Sequence, residues 1–424
     1  MNADGSVAIE RLRELPGGPE LIAVAEEHEG GIELVGGAVR DIMLGSRPRE
    51  LDAIVSVGVE RAAGALASRL HGEVTVYERF GTAVVRSPPA NVDLATMRAE
   101  SYPVPGALPE VRPGSPREDL QRRDFTVNAI AVALAGEHPG EVRAVPGALN
   151  DLAARRLRVL HDRSFLDDPT RILRLVRYAT RLGFEIEPHT AALASAAIEA
   201  GALKTVSGQR LGAELRLVFA EPHPLTPLAE LDRLGVFAAW EPGVSFDEHV
   251  VRTALEIMPD DGSERVLFAA ALLLELAHNL DHEDTEPAMR GFIYDLELPS
   301  GDGDRVFGAA VSAAFVIDAV LTADTTAELI ELTDGAPVES LALAAAVRDM
   351  EDGPGSYGRI VIEDWLREQR HVALQVTGDD LIAAGVPEGP EVGLRLEESY
   401  KMLLEERIEP GRDTELRAAL EAKI

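Results

Sequence analysis

Over the first third of the chain, short apolar runs alternate with turn-forming residues, and after that the rhythm changes. Ile32 to Gly36 (IELVG) is an apolar run that ends in glycines, the pattern of a buried strand entering a turn. Ala38 to Leu44 has helical spacing and is stopped by Gly45 and Pro48. Leu51 to Val57 predicts another strand and Ala62 to Leu70 a helix, with more strands at 74–76, 83–85 and 92–95. After Asn150 nearly every segment carries apolar residues three and four apart, so the pattern predicts helices with no clear strand. Pro, Gly and Asp punctuate this part at 259–263, 298–304 and 351–357. There is no internal repeat and no low-complexity segment. The expected fold class is an α+β head followed by an all-helical remainder, mostly α overall.

Composition narrows the chemistry. The 424 residues suffice for about two to four folding units. The 46% apolar content provides a real core. Cysteine is absent, which excludes disulfides, thiolate metal sites and cysteine nucleophiles. The N-terminus lacks the basic-then-apolar pattern of a signal peptide, and no apolar stretch approaches the ~20 residues of a membrane span. A soluble, cytoplasmic protein is expected. Asp and Glu number 73 against 41 Lys and Arg, a formal charge of −32 that argues against nonspecific polyanion binding by the whole surface. From Arg112 to Thr190, however, thirteen Arg face eleven acids, a net of +2. That segment is where an anionic ligand is expected.

Three segments carry candidate chemistry. In the first, Gly36-Gly37-Ala38-Val39-Arg40-Asp41 is followed nine residues later by Glu50-Leu51-Asp52. A strand that ends in two glycines and opens a helix presents bare backbone N–H groups to a phosphate. Arg40, one turn into the helix, is placed to grip the same anion. Glu50 and Asp52, two apart on a strand, point to one side and suit Mg²⁺, a hard ion that prefers oxygen. Asp93 lies in a strand-like apolar context and completes the set from a neighbouring strand. Each feature also has a plain reading: a tight turn, a solvated strand face, an exposed edge acid.

The second segment is Arg122-Arg123-Asp124-Phe125-Thr126-Val127-Asn128-Ala129-Ile130. If it is a helix, Asp124 and Asn128 share a face and can hydrogen-bond a ribose, with Arg123 on a phosphate. The competing reading is Asp124 as a helix N-cap flanked by solvated arginines. The third is Asp167-Asp168-Pro169-Thr170-Arg171 and onward, with Arg171, Arg174 and Arg177 climbing one side of a helix and Asp168 at its mouth. Such a helix addresses a base edge and phosphates, or else makes surface salt bridges.

In this order the segments LVGGAVRDIMLG with RELD, DLQRRDFTVNAIA and FLDDPTRILRLVRYATRLGF resemble the tRNA nucleotidyltransferase (CCA-adding enzyme)/bacterial poly(A) polymerase family. The resemblance continues through GQRLGAELRLVF (208–219) to TGDDLIAAGVPEGPEVGLRLEES (377–399), and residues 226–360 are the least distinctive. It implies a nucleotidyltransferase head (1–150), a helical neck for nucleotide selection (151–225), a helical body (226–355) and a helical tail that contacts tRNA (356–424). It further implies addition of C and/or A to the tRNA 3′ end from CTP and ATP, with no DNA or membrane partner.

Residue by residue, the resemblance puts the nucleotide phosphates on Gly36, Gly37 and Arg40, and two Mg²⁺ on Glu50 and Asp52 with Asp93. It puts the incoming nucleotide on Arg123, Asp124 and Asn128. Asp168 and Arg171 match the pair that reads the base edge in place of a template, and Arg174 and Arg177 continue that site. The polar stretch 98–113 corresponds to a mobile loop that helps the switch from C to A. One departure stands out: the family's first metal ligand is usually Asp, and here it is Glu50. A poly(A) polymerase and a catalytically lapsed tRNA-binding homologue are therefore the alternatives.

Overall fold

The computed structural model describes residues 5–78, 81–88, 90–280, 282–322, 328 and 335–422. The chain divides into two compact units, Met1–Glu214 and Leu215–Ile424.

The first unit opens with helices α1 (Ser6–Arg13) and α2 (Gly18–Glu27), followed by β1 (Ile32–Val35), α3 (Gly37–Leu44), β2 (Leu51–Val55), α4 (Val59–Leu70) and strands β3 (Glu73–Tyr77), β4 (Thr82–Arg86) and β5 (Asn91–Thr96). A two-stranded antiparallel ribbon, β6 (Arg98–Ser101) with β7 (Glu110–Pro113), occupies the polar stretch. Then come α5 (Pro116–Gln121), β8 (Ile130–Ala133) and β9 (Val142–Ala144). Among the described residues these build a seven-stranded mixed sheet in the order β3-β4-β5-β2-β1-β8-β9. The pair that matters is β2 with β5, the parallel one, in which Asp52 stands in register with Asp93.

Alternation along the strands sorts the two faces of the sheet. Leu34, Ala53 and Val55 point to one face, where α4 buries Val59, Ala62, Ala63, Leu66, Ala67 and Leu70 at three- and four-residue intervals. On the other face Val35, Ile54, Met97, Leu120 and Ala131 form a second apolar layer. Asp52 is two residues from Ile54 and so lies on this second face, at the end where β1 runs into the glycine turn.

The rest of the first unit is helical: α6 (Ala148–Ala153), α7 (Ser164–Asp167), α8 (Thr170–Leu182), α9 (Pro188–Glu199) and α10 (Gly208–Phe219), the last crossing the boundary at Glu214. Two short strands that the helical pattern did not predict, β10 (Arg156–Leu157) and β11 (Glu185–Ile186), pair in parallel and tie α6 to the end of α8.

The segment after Arg123 also departs from the helical expectation. Phe125 is extended (φ −131°, ψ 152°), Thr126–Asn128 is a single 3₁₀ turn, and β8 starts at Ile130. The apolar run that follows Asn128 is drawn into the sheet beside β1, which overrides any helical spacing of 124 and 128. Glu50 likewise falls one residue before β2, outside the strand it was assigned to.

In the second unit the described residues form helices and no strand. Val338–Asp352 is its central helix, buried from Glu339 to Asp349 and packed against Asp302–Thr322, Glu248–Ile257 and Tyr357–Arg367. The final helices, Gly378–Ala383, Pro390–Leu404 and Arg412–Glu421, close around Leu381, Val386 and Ala419. There the buried Glu415 accepts the backbone N–H groups of Gln375, Val376 and Gly411. No described helix is long and apolar enough to cross a membrane.

Candidate active site

The site begins at the turn between β1 and α3. Gly36 adopts φ +69°, and a Cβ there would lie 2.7 Å from Nη1 of Arg123, so only glycine lets the guanidinium rest on the turn. Arg123 is buried; Asp119 accepts from its Nη2 at 3.1 Å, while its Nε has no hydrogen-bond partner. Burial pushes its pKa down and Asp119 opposes that shift. The guanidinium is thus held at the glycine turn with donor capacity to spare.

Facing it are the acids. Glu50, Asp52 and Asp93 each offer a carboxylate oxygen within 4.8 Å of the others. The Asp52–Asp93 register supplies two of them, and the longer Glu50 side chain reaches in from outside the strand. Burial, together with the charges of Asp93 and Glu50, pushes Asp52 up to about 6, although Arg123 and Arg40 pull it down. Asp93 is raised as well, by burial and by Glu50. Three acids whose repulsion is only partly relieved by the protein fit a divalent cation, which neutralises them and takes oxygen ligands.

Arg40, expected to grip the same anion, is only 1% exposed and engaged elsewhere. Its Nε and Nη2 donate to Asp41 (2.8 and 2.7 Å) and its Nη1 to Asn128 Oδ1 (2.6 Å). From there a chain of hydrogen bonds runs inward. Asn128 donates to Asp124 Oδ1 at 2.9 Å, Arg174 places two donors on Asp124 Oδ2 at 3.0 and 2.7 Å, and Glu214 receives both Arg174 (2.9 Å) and Arg177 (3.1 Å). The Tyr178 ring is the hub: Arg40, Arg174, Arg177 and Arg181 all stand about its ring within 5.5 Å of the centroid. Although burial would raise Asp124, Arg174, the Asn128 amide and Arg171 hold it far below the usual carboxylate range.

Arg171, Arg174 and Arg177 therefore do not form one stripe. A three-residue step falls short of a helical turn, so successive guanidiniums rotate around the helix. Arg174 and Arg177 turn toward Glu214, whereas Arg171 donates to Ser164 Oγ (2.8 Å) and to the carbonyl of Arg122 (2.9 Å). Asp168 and Arg171 are brought to the same end of α8, but no hydrogen bond between their side chains is found among the described residues. Asp168 Oδ1 instead receives Thr170 Oγ1 (2.7 Å) and Arg210 Nη2 (2.8 Å).

Sequence reading missed Asp119, Tyr178, Arg210 and Glu214. Asp119 was within reach, because it sits three and four residues before Arg122 and Arg123 and is fully buried beneath both. The partners of Glu214 lie 37 and 40 residues away, and no local spacing announces them.

Comparison with known proteins gives this geometry a family. A model described as the Poly A polymerase head domain matches residues 32–158. A CC-adding tRNA nucleotidyltransferase of Deinococcus radiodurans is 33% identical over 372 residues, covering 86% of this chain and 82% of that protein. The chain belongs to the tRNA nucleotidyltransferase family. An A-adding tRNA nucleotidyltransferase of Geobacter sulfurreducens is 30% identical over 419 residues, 95% of this chain and 46% of that protein. The chain spans about half or less of the length of several curated relatives it matches. A CCA-adding enzyme in an apo form shares the fold, with TM-score 0.79 at 24% identity over 98% of this chain and 94% of that one. Within the family, an α+β head followed by helices is the architecture expected, and the carboxylate cluster suits a divalent metal.

Proposed function

We propose that this chain adds C and/or A nucleotides to the 3′ end of tRNA, from CTP and ATP and without a nucleic-acid template. The observation that carries the reading is the Asp52–Asp93 pair in register on parallel strands, joined by Glu50 and faced by Arg123 over Gly36. The names of the relatives, A-adding and CC-adding, support C and A as the nucleotides.

In this reading Glu50, Asp52 and Asp93 hold Mg²⁺, which when bound supplies charge neutralisation and Lewis-acid activation for phosphoryl transfer. The backbone N–H groups of Gly36 and Gly37 and the guanidinium of Arg123 hold the triphosphate, and an in-line α-phosphate faces the RNA 3′-hydroxyl. Arg40 and Asn128 act as struts, fixing α3 against Asp124 and Arg174. Asp168 and Arg171 read the base edge: an acceptor and a donor in fixed positions match the amino group and ring nitrogen that cytosine and adenine share and uracil lacks. We assign residues 1–150 to the head, 151–225 to the neck, 226–355 to the body and 356–424 to a tail that touches tRNA, and we place the protein in the cytoplasm with its substrate.

The test offers tRNAs lacking one, two or three terminal nucleotides, each with CTP and ATP separately. Addition that stops by the third position supports the reading, and the pattern of accepted ends separates CCA-, CC- and A-adding activity. Unlimited addition of A identifies a poly(A) polymerase. Binding with no incorporation at any Mg²⁺ concentration identifies a lapsed homologue.

A further inference from the structure

The side chains proposed to read the base are not held by each other; both are held by the 98–113 ribbon. Tyr102, just after β6, lies against Arg171, with its ring centroid 5.9 Å from the guanidinium carbon and its hydroxyl 3.5 Å from Nη2. Four residues on, Gly106 sits at the tip. It is buried, and its N–H points to the carbonyls of Leu166 and Asp167 at 3.2 and 3.3 Å. Its own carbonyl accepts from Arg210 Nη1 at 2.9 Å, while Nη2 of the same guanidinium donates to Asp168 Oδ1 at 2.8 Å. One planar group thus joins the tip of the ribbon to the acid at the mouth of α8, and a planar fork transmits the position of one partner to the other.

Asp168 is fixed through one oxygen only. Oδ1 accepts Arg210, Thr170 Oγ1 and the Thr170 N–H, and Oδ2 makes no hydrogen bond among the described residues. That leaves one carboxylate oxygen for an amino group, aimed by the grip on the other. The tip is also tightly seated. Gly106 has φ +72°, and a Cβ there would lie 2.3 Å from both the carbonyl oxygen and Oγ1 of Thr205. No other residue docks at this place without moving the tip.

We infer that Arg210 is a positioning residue for nucleotide choice, which latches the Asp168 carboxylate to Gly106 so that docking of the 98–113 ribbon and orientation of the base-reading oxygen are one event. The inference rests on the proposed nucleotide addition and names residues that its motifs do not include. It distinguishes two kinds of damage. Loss of a simple strut lowers turnover with every nucleotide alike. Loss of the latch frees Asp168 and lets uracil compete.

The test measures kcat/KM for CTP, ATP and UTP on the preferred tRNA with wild type, Arg210→Gln, Gly106→Ala and the double variant. Alongside, amide hydrogen exchange is followed at Gly106 and Ala107. Each single variant is expected to reduce discrimination against UTP by about tenfold. The double variant should do little more than either, because both break the same link. Exchange at the tip should quicken in Arg210→Gln. Discrimination equal to wild type in Gly106→Ala, or an equal loss for all three nucleotides in Arg210→Gln, overturns the inference. If wild type incorporates nothing, the functional reading is what fails. The hydrogen-exchange comparison then still decides the link, since an unchanged tip in Arg210→Gln removes it.

Discussion

At the end of the β2–β5 pair, Asp52 has two acids for neighbours; at the foot of α8, Asp124 has an amide and a guanidinium. Both lie in the first unit, and their surroundings drive them in opposite directions. Asp52 is pushed up to about 6, while Asp124 is held far below its ordinary value. Around Asp124 every charge has an internal partner, and the hydrogen bonds run unbroken from Asp41 through Arg40, Asn128 and Arg174 to Glu214. Around Asp52 the protein assembles like charges and leaves their neutralisation to something it does not itself carry. The contrast separates a framework from a working site: a paired buried charge fixes geometry, and crowded carboxylates recruit a cation.

The largest effect is expected from removing the cation-binding pole. Asp52→Ala should lower nucleotide incorporation by about a thousandfold or more, measured in single-turnover assays with saturating tRNA. Turnover near wild type would break the contrast outright.

At the other pole, Asp124→Asn keeps the shape but leaves Arg174 short of a counter-charge in a buried setting. A loss of about 3–5 kcal/mol in unfolding free energy is expected, read from urea midpoints. A loss below about 1 kcal/mol would mean that Glu214 alone satisfies the arginines.

The third test concerns sign. With a folded-state pKa of about 6 against an unfolded 3.8, ionised Asp52 works against folding above pH 6 when no metal is present. The stability that its proton contributes is complete below the unfolded value and lost as pH rises through about 6. Metal-free Asp52→Asn should therefore be more stable than wild type at pH 7, by about 1–2 kcal/mol once solvent screening is allowed for. The gap should close as pH falls from 6 toward 4. A gap of the opposite sign at pH 7 would place Asp52 with Asp124, among the compensated acids.

Smallest is Glu50→Asp. Shortening the side chain at a position outside the strand should preserve activity within a few-fold or raise it, because a third ligand at the mouth adjusts more freely than the register-locked pair. An inactive variant would show that the longer reach is required.

Much of the first unit was legible because its signals are local. The apolar runs at 32–36, 51–57, 74–76, 83–85 and 92–95 all became strands, and the Gly36-Gly37 stop opened a helix. The 124–128 segment misled because polar residues four apart look helical whatever follows them, and what followed was a strand of the central sheet. The arginine series misled in another way. Its spacing named the helix correctly, but which guanidinium met which acid depended on Ser164, Arg122, Asp124 and Glu214, brought together from four places in the chain.

By itself the sequence determined which segments would be strands or helices and which residue types, acids, arginines and a glycine turn, would supply the chemistry. Those follow from periodicity and side-chain chemistry over a few neighbouring positions. Only tertiary structure decided that Asp93 stands beside Asp52, that Arg40 serves as a strut, and that Arg210 ties Gly106 to Asp168. Sheet register and long-range ion pairs join residues 41 to 104 positions apart in those cases, and such pairings are fixed by the packing of whole elements, which no local pattern encodes.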